Sequence, residues 1–509
     1  MGRSALGLLA ISAVVGWPSL AMPFRGDTAL YLTMASEMDR GAVLYRDTWD
    51  ITNPGIFWFD QLAGTLFCFD EEGVRTLEWL WWTAFAYAVS LASKRAHGLD
   101  RLPLAPAVLI SGVYYFTSYG TPFHLTKVEG LAGFPIFLAI LFAARAADSG
   151  ATAWRWWLAA GAAGGVVVLF KCLFAAGLLM PWCYLLRRAA RREGLERRRG
   201  PALGAGMLLA GMALALAPAI RYFTVHGAGE IAWKTAFEYP RLFLAEGNRA
   251  GVSRLALSAK WFLNEYSFVG ATAVLGYFAS RRAMRDPCVA ALALFFPAAI
   301  GIILIQRTSW WSYHFLLVGI PASALAAYSW PALAANVRTA LNRPLHFRER
   351  AALGLAAIIL CSPWLAPGAF AYIHVASHGF GLTASNRRAS RESLGTAYEQ
   401  ARSETAWLHE PGSRPGPIFV AGNPSFYVFA DRRPATAIHG WSLELYPQTI
   451  RDDLTAQLKS AEPVYIYVNR DPDKIDDLLR ERYPELVAWM AEKYEVVRQT
   501  RDGVWYGKK

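Results

Sequence analysis

The residues best placed to do chemistry follow the first long apolar stretch of the chain, at about 5–24. Arg25-Gly26-Asp27-Thr28-Ala29-Leu30-Tyr31 comes first, then Gly41-Ala42-Val43-Leu44-Tyr45-Arg46-Asp47-Thr48-Trp49-Asp50, then Asn53-Pro54-Gly55. A carboxylate at a membrane surface can take a proton from a hydroxyl while that hydroxyl attacks an electrophile held in the bilayer. Asp27 is therefore a candidate general base. The plainer alternative is an N-cap, a position that Asp favours. Leu30, Met34 and Met38 fall at helical spacing, which predicts a helix over 28–40 lying in the membrane interface. Residues 56–69 can form a second.

Three further groups carry ionisable or aromatic side chains where apolar segments end. His124-Leu125-Thr126-Lys127-Val128-Glu129 places Lys127 and Glu129 at a helix start. Ionisable residues inside a membrane protein are expensive and point to function, although a Lys–Glu pair can also satisfy itself. Lys171 interrupts two apolar runs, where it either snorkels or meets an anion such as phosphate. Gln306-Arg307-Thr308-Ser309-Trp310-Trp311-Ser312-Tyr313-His314 combines an Arg able to grip phosphate with rings able to stack on sugars. An aromatic belt at the membrane surface accounts equally well for the Trp residues. Glu238, Tyr239, Arg241 and Glu246 in the 221–260 loop could shape an acceptor groove.

These groups need a scaffold, and composition says which kind. The 509 residues are 54% hydrophobic and 14% aromatic, with 20 Trp and only 18% charged residues, at a mean hydropathy of +0.23. Disorder and fibrous repeats are excluded. About eleven segments are apolar over roughly 20 residues, as a spanning helix requires: 5–24, 74–92, 103–119, 129–146, 155–170, 172–186, 201–220, 261–280, 287–305, 315–334 and 351–373. Residues 1–21 also have the outline of a signal peptide, with Arg3 before the apolar run and Ser19-Leu20-Ala21 after it. The sequence reads as a retained helix, because the functional candidates follow at once.

The net charge of +12 sits in short clusters between those segments. With the N-terminus inside, Lys94, Arg95, Arg101, Arg145, Arg155, Arg187, Arg188, Arg191, Arg192, Arg197, Arg198, Arg199, Arg281, Arg282, Arg285, Arg338, Arg343, Arg348 and Arg350 all fall on one side. That is the positive-inside pattern and not a nucleic-acid patch. The opposite side receives 25–73, 120–128, 221–260, 306–314 and everything after about 374, hence every candidate above. The chain divides into a membrane domain at 1–374 and an outer domain at 375–509. In the latter, strands at 417–421 and 463–468 alternate with helices at 391–409, 447–461 and 473–494, predicting a small α/β fold. Five scattered cysteines show no metal-ligand spacing and read as small core hydrophobes. No P-loop, GxGxxG, HExxH or Gly-x-Ser-x-Gly appears, which removes the sequence support for nucleotide-driven transport and zinc hydrolysis.

The pattern resembles the GT-C membrane glycosyltransferases, the superfamily of protein O-mannosyltransferases and lipid A aminoarabinose transferases, and in particular bacterial members acting on lipopolysaccharide and other envelope glycans. Asp27 after helix one, an aromatic-rich amphipathic stretch, and Gly41, Tyr45, Asp47, Asp50, Pro54 and Gly55 carry the likeness. So do Lys127 and Glu129, the Trp-x-Tyr-His stretch at 311–314, and Ala430-Asp431-Arg432-Arg433-Pro434-Ala435-Thr436. Many relatives have a Lys shortly before the Pro-Gly turn, where this chain has Thr52 and Asn53, so a basic contact to the donor phosphate must come from elsewhere.

The resemblance implies a polytopic α-helical protein of the bacterial plasma membrane, with its active site and C-terminal domain outside. It implies a polyprenyl-phosphate sugar donor, a glycan, lipid or protein acceptor, and inverting hexosyl or pentosyl transfer. Asp27 would be the base. Asp50, Lys127, Glu129, Lys171, Arg307, Tyr313 and His314 would bind substrate, with Glu129 and Asp50 the candidate ligands where a divalent metal is used. Two other readings stay open. A lipid-linked sugar transporter should show internal repeats, and none is visible. A non-catalytic envelope assembly protein should tolerate the loss of Asp27.

Overall fold

The computed structural model describes residues 2–24, 26–149, 153–193, 199–246, 250–279, 286–307, 309–341, 347–469 and 475–509. Arg25, Thr308, Arg197, Arg198, Arg281, Arg282, Arg285, Arg343 and positions 473–474 of the last predicted helix lie outside them. The chain forms two compact units: Met1–Ala21, Arg75–Ala219 and Ala250–Thr383 in the first, Met22–Val74, Ile220–Arg249 and Ala384–Lys509 in the second.

The first unit is helical. Among the described residues six helices are long and apolar enough to cross a membrane: Arg3–Ala21, Val128–Asp148, Ala153–Phe170, Pro201–Val225, Pro287–Ile305 and Ser312–Thr339. The other five expected segments are helical too. Glu71–Ala96 is charged at both ends, Ala107–Gly112 is π-helical before Val113–Gly120 continues, and a 3₁₀ turn at Ala176–Leu178 interrupts the segment after Lys171. The segment predicted at 261–280 breaks at Tyr266 into Val252–Glu265 and Ser267–Ala279, and Phe347–Ser377 carries Pro363 and Pro367 inside. The count of eleven rests on the sequence.

Local chemistry fixes several boundaries. Asp286 caps the Pro287–Ile305 helix by accepting the Cys288 N–H at 2.8 Å, with Pro287 in the first turn, an arrangement that suits a helix start. Lys171 has extended backbone between Ala153–Phe170 and Cys172–Ala175, the break its charge predicted. A Cβ on Gly161 would lie 2.0 Å from the Leu208 carbonyl oxygen, and one on Gly211 would lie 2.0 Å from that of Leu158. Those glycines let two helices approach backbone to backbone, as small residues do in membranes. The cysteines are all free, but Cys68 and Cys183 are exposed, so the core role expected of all five fails for these two.

The second unit holds a four-stranded sheet in the order β1-β2-β4-β3, with β1 Ile418–Ala421, β2 Tyr465–Asn469, β3 Tyr494–Gln499 and β4 Gly503–Lys508. The expected pair, β1 and β2, is parallel, and the β3–β4 hairpin adds antiparallel partners. Phe426, Tyr467 and Trp505 pack on the inner face, their rings 4.2 to 6.1 Å apart. The helix predicted over 391–409 is split at Gly395, and the one over 473–494 is split before Pro484 and ends where β3 begins.

The stretch 22–74 is tied into this unit by ion pairs. Arg391 bridges Glu71 at 3.0 Å and Glu72 at 3.2 Å, and Arg387 holds Glu72 at 2.6 Å. Burial would raise the Glu72 carboxyl, but hydrogen bonds and charge from the two arginines outweigh it and hold the group low. Glu71 also accepts the Phe24 N–H and the Tyr398 hydroxyl, both at 2.9 Å.

Candidate functional site

The chemistry predicted from the sequence divides between the units. In the second, Asp27 opens the Asp27–Asp39 helix, and the N-cap position belongs to Gly26, whose φ of 54° suits a glycine. Asp27 therefore stands in the first turn, where the helix dipole favours a carboxylate, and the cap reading does not hold. Trp441 Nε1 donates to Asp27 Oδ1 at 2.7 Å. At the far end of the helix Glu37 accepts from Arg433 at 2.7 Å and from Arg40 at 3.0 Å, so the 430–436 stretch anchors the helix. Trp441 was invisible to sequence reasoning: an isolated Trp 414 residues away carries no local signal.

The 41–55 loop is shaped by its own side chains. Asp47 accepts the Val43 N–H and a two-pronged contact from Arg46, each bond 2.8 Å. Tyr45, at φ 69°, donates its hydroxyl to the Thr52 carbonyl at 2.8 Å. Asp47 is thus a structural clamp. Asp50 accepts the Thr52 N–H at 2.8 Å. Desolvation pushes its carboxyl up to about 6, against the hydrogen bonds from Thr52 and with help from the Asp27 charge.

That shift has a testable sign. A carboxyl that is raised in the folded state holds its proton more tightly than the unfolded chain does. Its contribution to stability is complete below about 4 and is lost as pH rises through about 6. Asp50→Asn keeps an acceptor for Thr52 and removes the charge. It should raise the thermal midpoint at pH 8, by on the order of 1–3 kcal/mol of stability, and leave it unchanged at pH 4.5. Equal midpoints at pH 8 would place Asp50 in an ordinary solvated setting.

In the first unit five of the predicted residues come together. Lys171 Nζ donates to Glu129 at 3.0 Å and to Gln306 Oε1 at 2.6 Å. Glu129 is almost fully buried, and the Lys171 side chain is 28% exposed. Lys127 is 1% exposed, its ammonium 3.8 Å from the Phe123 ring centroid and 4.6 Å from that of Tyr313. The Tyr313 ring stands edge-on to His314 at 4.7 Å, and His314 lies near enough to Glu129 to interact with it electrostatically. His124 bonds Ser312 at 2.7 Å and is pulled down to about 3 by burial and then by Lys127, so it is neutral at physiological pH. Arg307 is exposed and is not drawn into this group; its neighbour Gln306 is the member that sequence reasoning passed over. Two buried residues that the sequence also hid hold the turn just before Lys127. Glu78 accepts the Thr126 N–H at 2.6 Å, the Thr126 hydroxyl at 3.0 Å, the Tyr114 hydroxyl at 2.5 Å and Arg75 at 2.9 Å.

No group of three His, Cys, Asp or Glu side chains is placed to hold a metal ion among the described residues, and Glu129 is committed to an ammonium.

Residues 52–226 match the family described as dolichyl-phosphate-mannose-protein mannosyltransferase. ArnT from Cupriavidus metallidurans, bound to undecaprenyl phosphate, aligns over 98% of this chain and 97% of that one, with a TM-score of 0.55 and 15% identity. Its apo state gives the same coverage and TM-score at 16% identity. The apo oligosaccharyltransferase of Archaeoglobus fulgidus covers 99% of this chain over 74% of its own, at a TM-score of 0.52 and 12% identity. No curated protein matches this chain by sequence. At these identities the likeness is one of fold.

Proposed function

We propose that this chain, a membrane glycosyltransferase of the GT-C fold, takes a hexosyl or pentosyl group from a polyprenyl phosphate and delivers it, with inversion, to an envelope glycan, lipid or protein on the outer face of a bacterial plasma membrane. The observation that carries the reading is Asp27, fixed by Trp441 at a helix start beside a second carboxylate, Asp50. ArnT in complex with undecaprenyl phosphate shows that a protein of this fold accommodates such a lipid.

In this reading Asp27 accepts the proton of the acceptor hydroxyl as its oxygen bonds to the anomeric carbon. The bond from that carbon to the phosphate oxygen breaks on the opposite face, and the polyprenyl phosphate leaves with the electron pair. Preorganised cations lower the cost of that developing charge. In the first unit Lys171 is the cation suited to it, being partly exposed and already oriented by Gln306 and Glu129. Exposed Arg307 is free to approach a phosphate. Buried Lys127, its ammonium against the Phe123 and Tyr313 rings, and His314 beside Tyr313 are further candidates for contact with the donor.

The test is an envelope-glycan mass analysis of a deletion strain, its wild-type complement and an Asp27→Asn complement at matched expression. The expected result is one sugar missing in the deletion and restored only by wild type. Full restoration by Asp27→Asn removes the catalytic assignment and brings the transporter and assembly readings forward.

A further inference from the structure

The second unit contains a cleft of about 230 Å³ that no part of the transfer chemistry uses. Three stretches distant in sequence build it: the 41–55 loop, the 229–246 helices and the 437–457 segment. Trp49 and Tyr239 form one corner, their rings 5.7 Å apart and nearly perpendicular at 85°. Hydrogen bonds tie Trp49 to the other two stretches. Trp49 donates its indole N–H to Thr235 at 3.0 Å and its backbone N–H to the Ala437 carbonyl at 2.8 Å.

Polar groups converge on the same space. Asp453 and Gln457 lie one helical turn apart on Gln448–Ala461 and both line the cleft with Tyr239. Gln457 spends its oxygen on the Ile438 N–H at 3.2 Å, which leaves its amide donors available. Asp453 and the Tyr239 hydroxyl make no hydrogen bond or ion pair among the described residues. Arg46 on the rim is already neutralised by Asp47 and donates to the His226 carbonyl at 3.0 Å, so the cleft offers no spare positive charge to an anion.

An aromatic corner with uncommitted carboxylate, amide and phenol groups is the complement of a saccharide ring. An apolar C–H face lies on the half-buried Tyr239 ring, which buried Trp49 supports from the side, and a carboxylate accepts from two neighbouring hydroxyls. A volume below that of drug-sized pockets suits one ring, and the uncompensated charge of Asp453 disfavours acidic sugars. We propose that this cleft binds one neutral sugar unit of the acceptor glycan. The proposal rests on the transferase reading.

Saturation-transfer NMR on the full chain in lipid nanodiscs tests it, with methyl α-glucoside, methyl α-galactoside, methyl α-mannoside and methyl glucuronide as probes. At least one neutral glycoside should receive saturation from the protein, and the glucuronide at least fivefold less. Asp453→Ala and Tyr239→Ala should each cut the transfer at least fivefold, while Asp27→Asn leaves it unchanged. Asp453 is exposed, so its substitution spares the fold. No transfer from any neutral glycoside, or equal transfer in both cleft variants, overturns the proposal. The two readings fail separately. An Asp27→Asn protein that still restores the glycan ends the transferase assignment. An inactive Asp27→Asn beside an Asp453→Ala variant with wild-type sugar binding ends only the cleft.

Discussion

Asp27→Asn is expected to lower the rate of sugar transfer by about 10³-fold, within the 10²–10⁴ range of a positioned general base, while leaving the protein folded. The substitution suits the site because an asparagine oxygen still accepts the Trp441 N–H that holds Asp27 Oδ1 at 2.7 Å. Geometry is retained, and only the capacity to take a proton is lost. The dipole of the Asp27–Asp39 helix gains a little from the charge at its first turn, about 0.3–1 kcal/mol, so the thermal midpoint should barely move. Trp441→Phe supplies the contrast. It keeps the base and removes its support, so a fall of roughly tenfold is expected, from the loss of one hydrogen bond to a charged group. The measurement is single-turnover transfer with a polyprenyl-phosphate sugar in nanodiscs. An Asp27→Asn enzyme within tenfold of wild type would mean the proton leaves by another route. A Trp441→Phe enzyme as dead as Asp27→Asn would make Trp441 more than a support.

The sequence was legible where a residue's cost is local. An ionised lysine cannot continue an apolar helix cheaply, so Lys171 announced the break that the backbone makes there. Leu30, Met34 and Met38 announced the Asp27–Asp39 helix, but Ala29, Tyr31, Leu32, Thr33 and Ala35 are buried as well, so the one-sided apolar stripe read from their spacing is not what the helix presents. The β3–β4 hairpin was not legible, because β3 is an exposed edge in which only Tyr494 is buried. Without a buried face its alternation carries no period of two, and the helical signal before it ran on. The site was legible in residue type and not in partnership. Lys171 and Glu129 stood out as costly charges, but their meeting depends on helix packing. Glu78 and Trp441 act across 48 and 414 residues respectively, and spacing does not encode such separations.

Glu78→Ala should destabilise the fold more than any other single change in the first unit. The carboxylate is fully buried and accepts four bonds, from Arg75, Tyr114 and both donors of Thr126. Thr126 sits at φ 56°, a conformation a threonine adopts only when the surroundings impose it. Removing the carboxylate strands the Arg75 guanidinium, itself fully buried, and breaking one side of such a pair costs about 3–5 kcal/mol. The loss should show as a sharply reduced yield of monodisperse protein and a lower thermal midpoint. Arg75→Met/Glu78→Met tests whether charge imbalance is the cause, since deleting both charges leaves neither uncompensated. The double variant should recover much of the lost stability but not the Thr126 turn. It should therefore fold and still transfer sugar poorly, because Lys127 and Glu129 follow that turn directly. A Glu78→Ala protein as stable as wild type would show that the network is incidental to the fold. A stable double variant with full activity would separate the turn from the positions of Lys127 and Glu129.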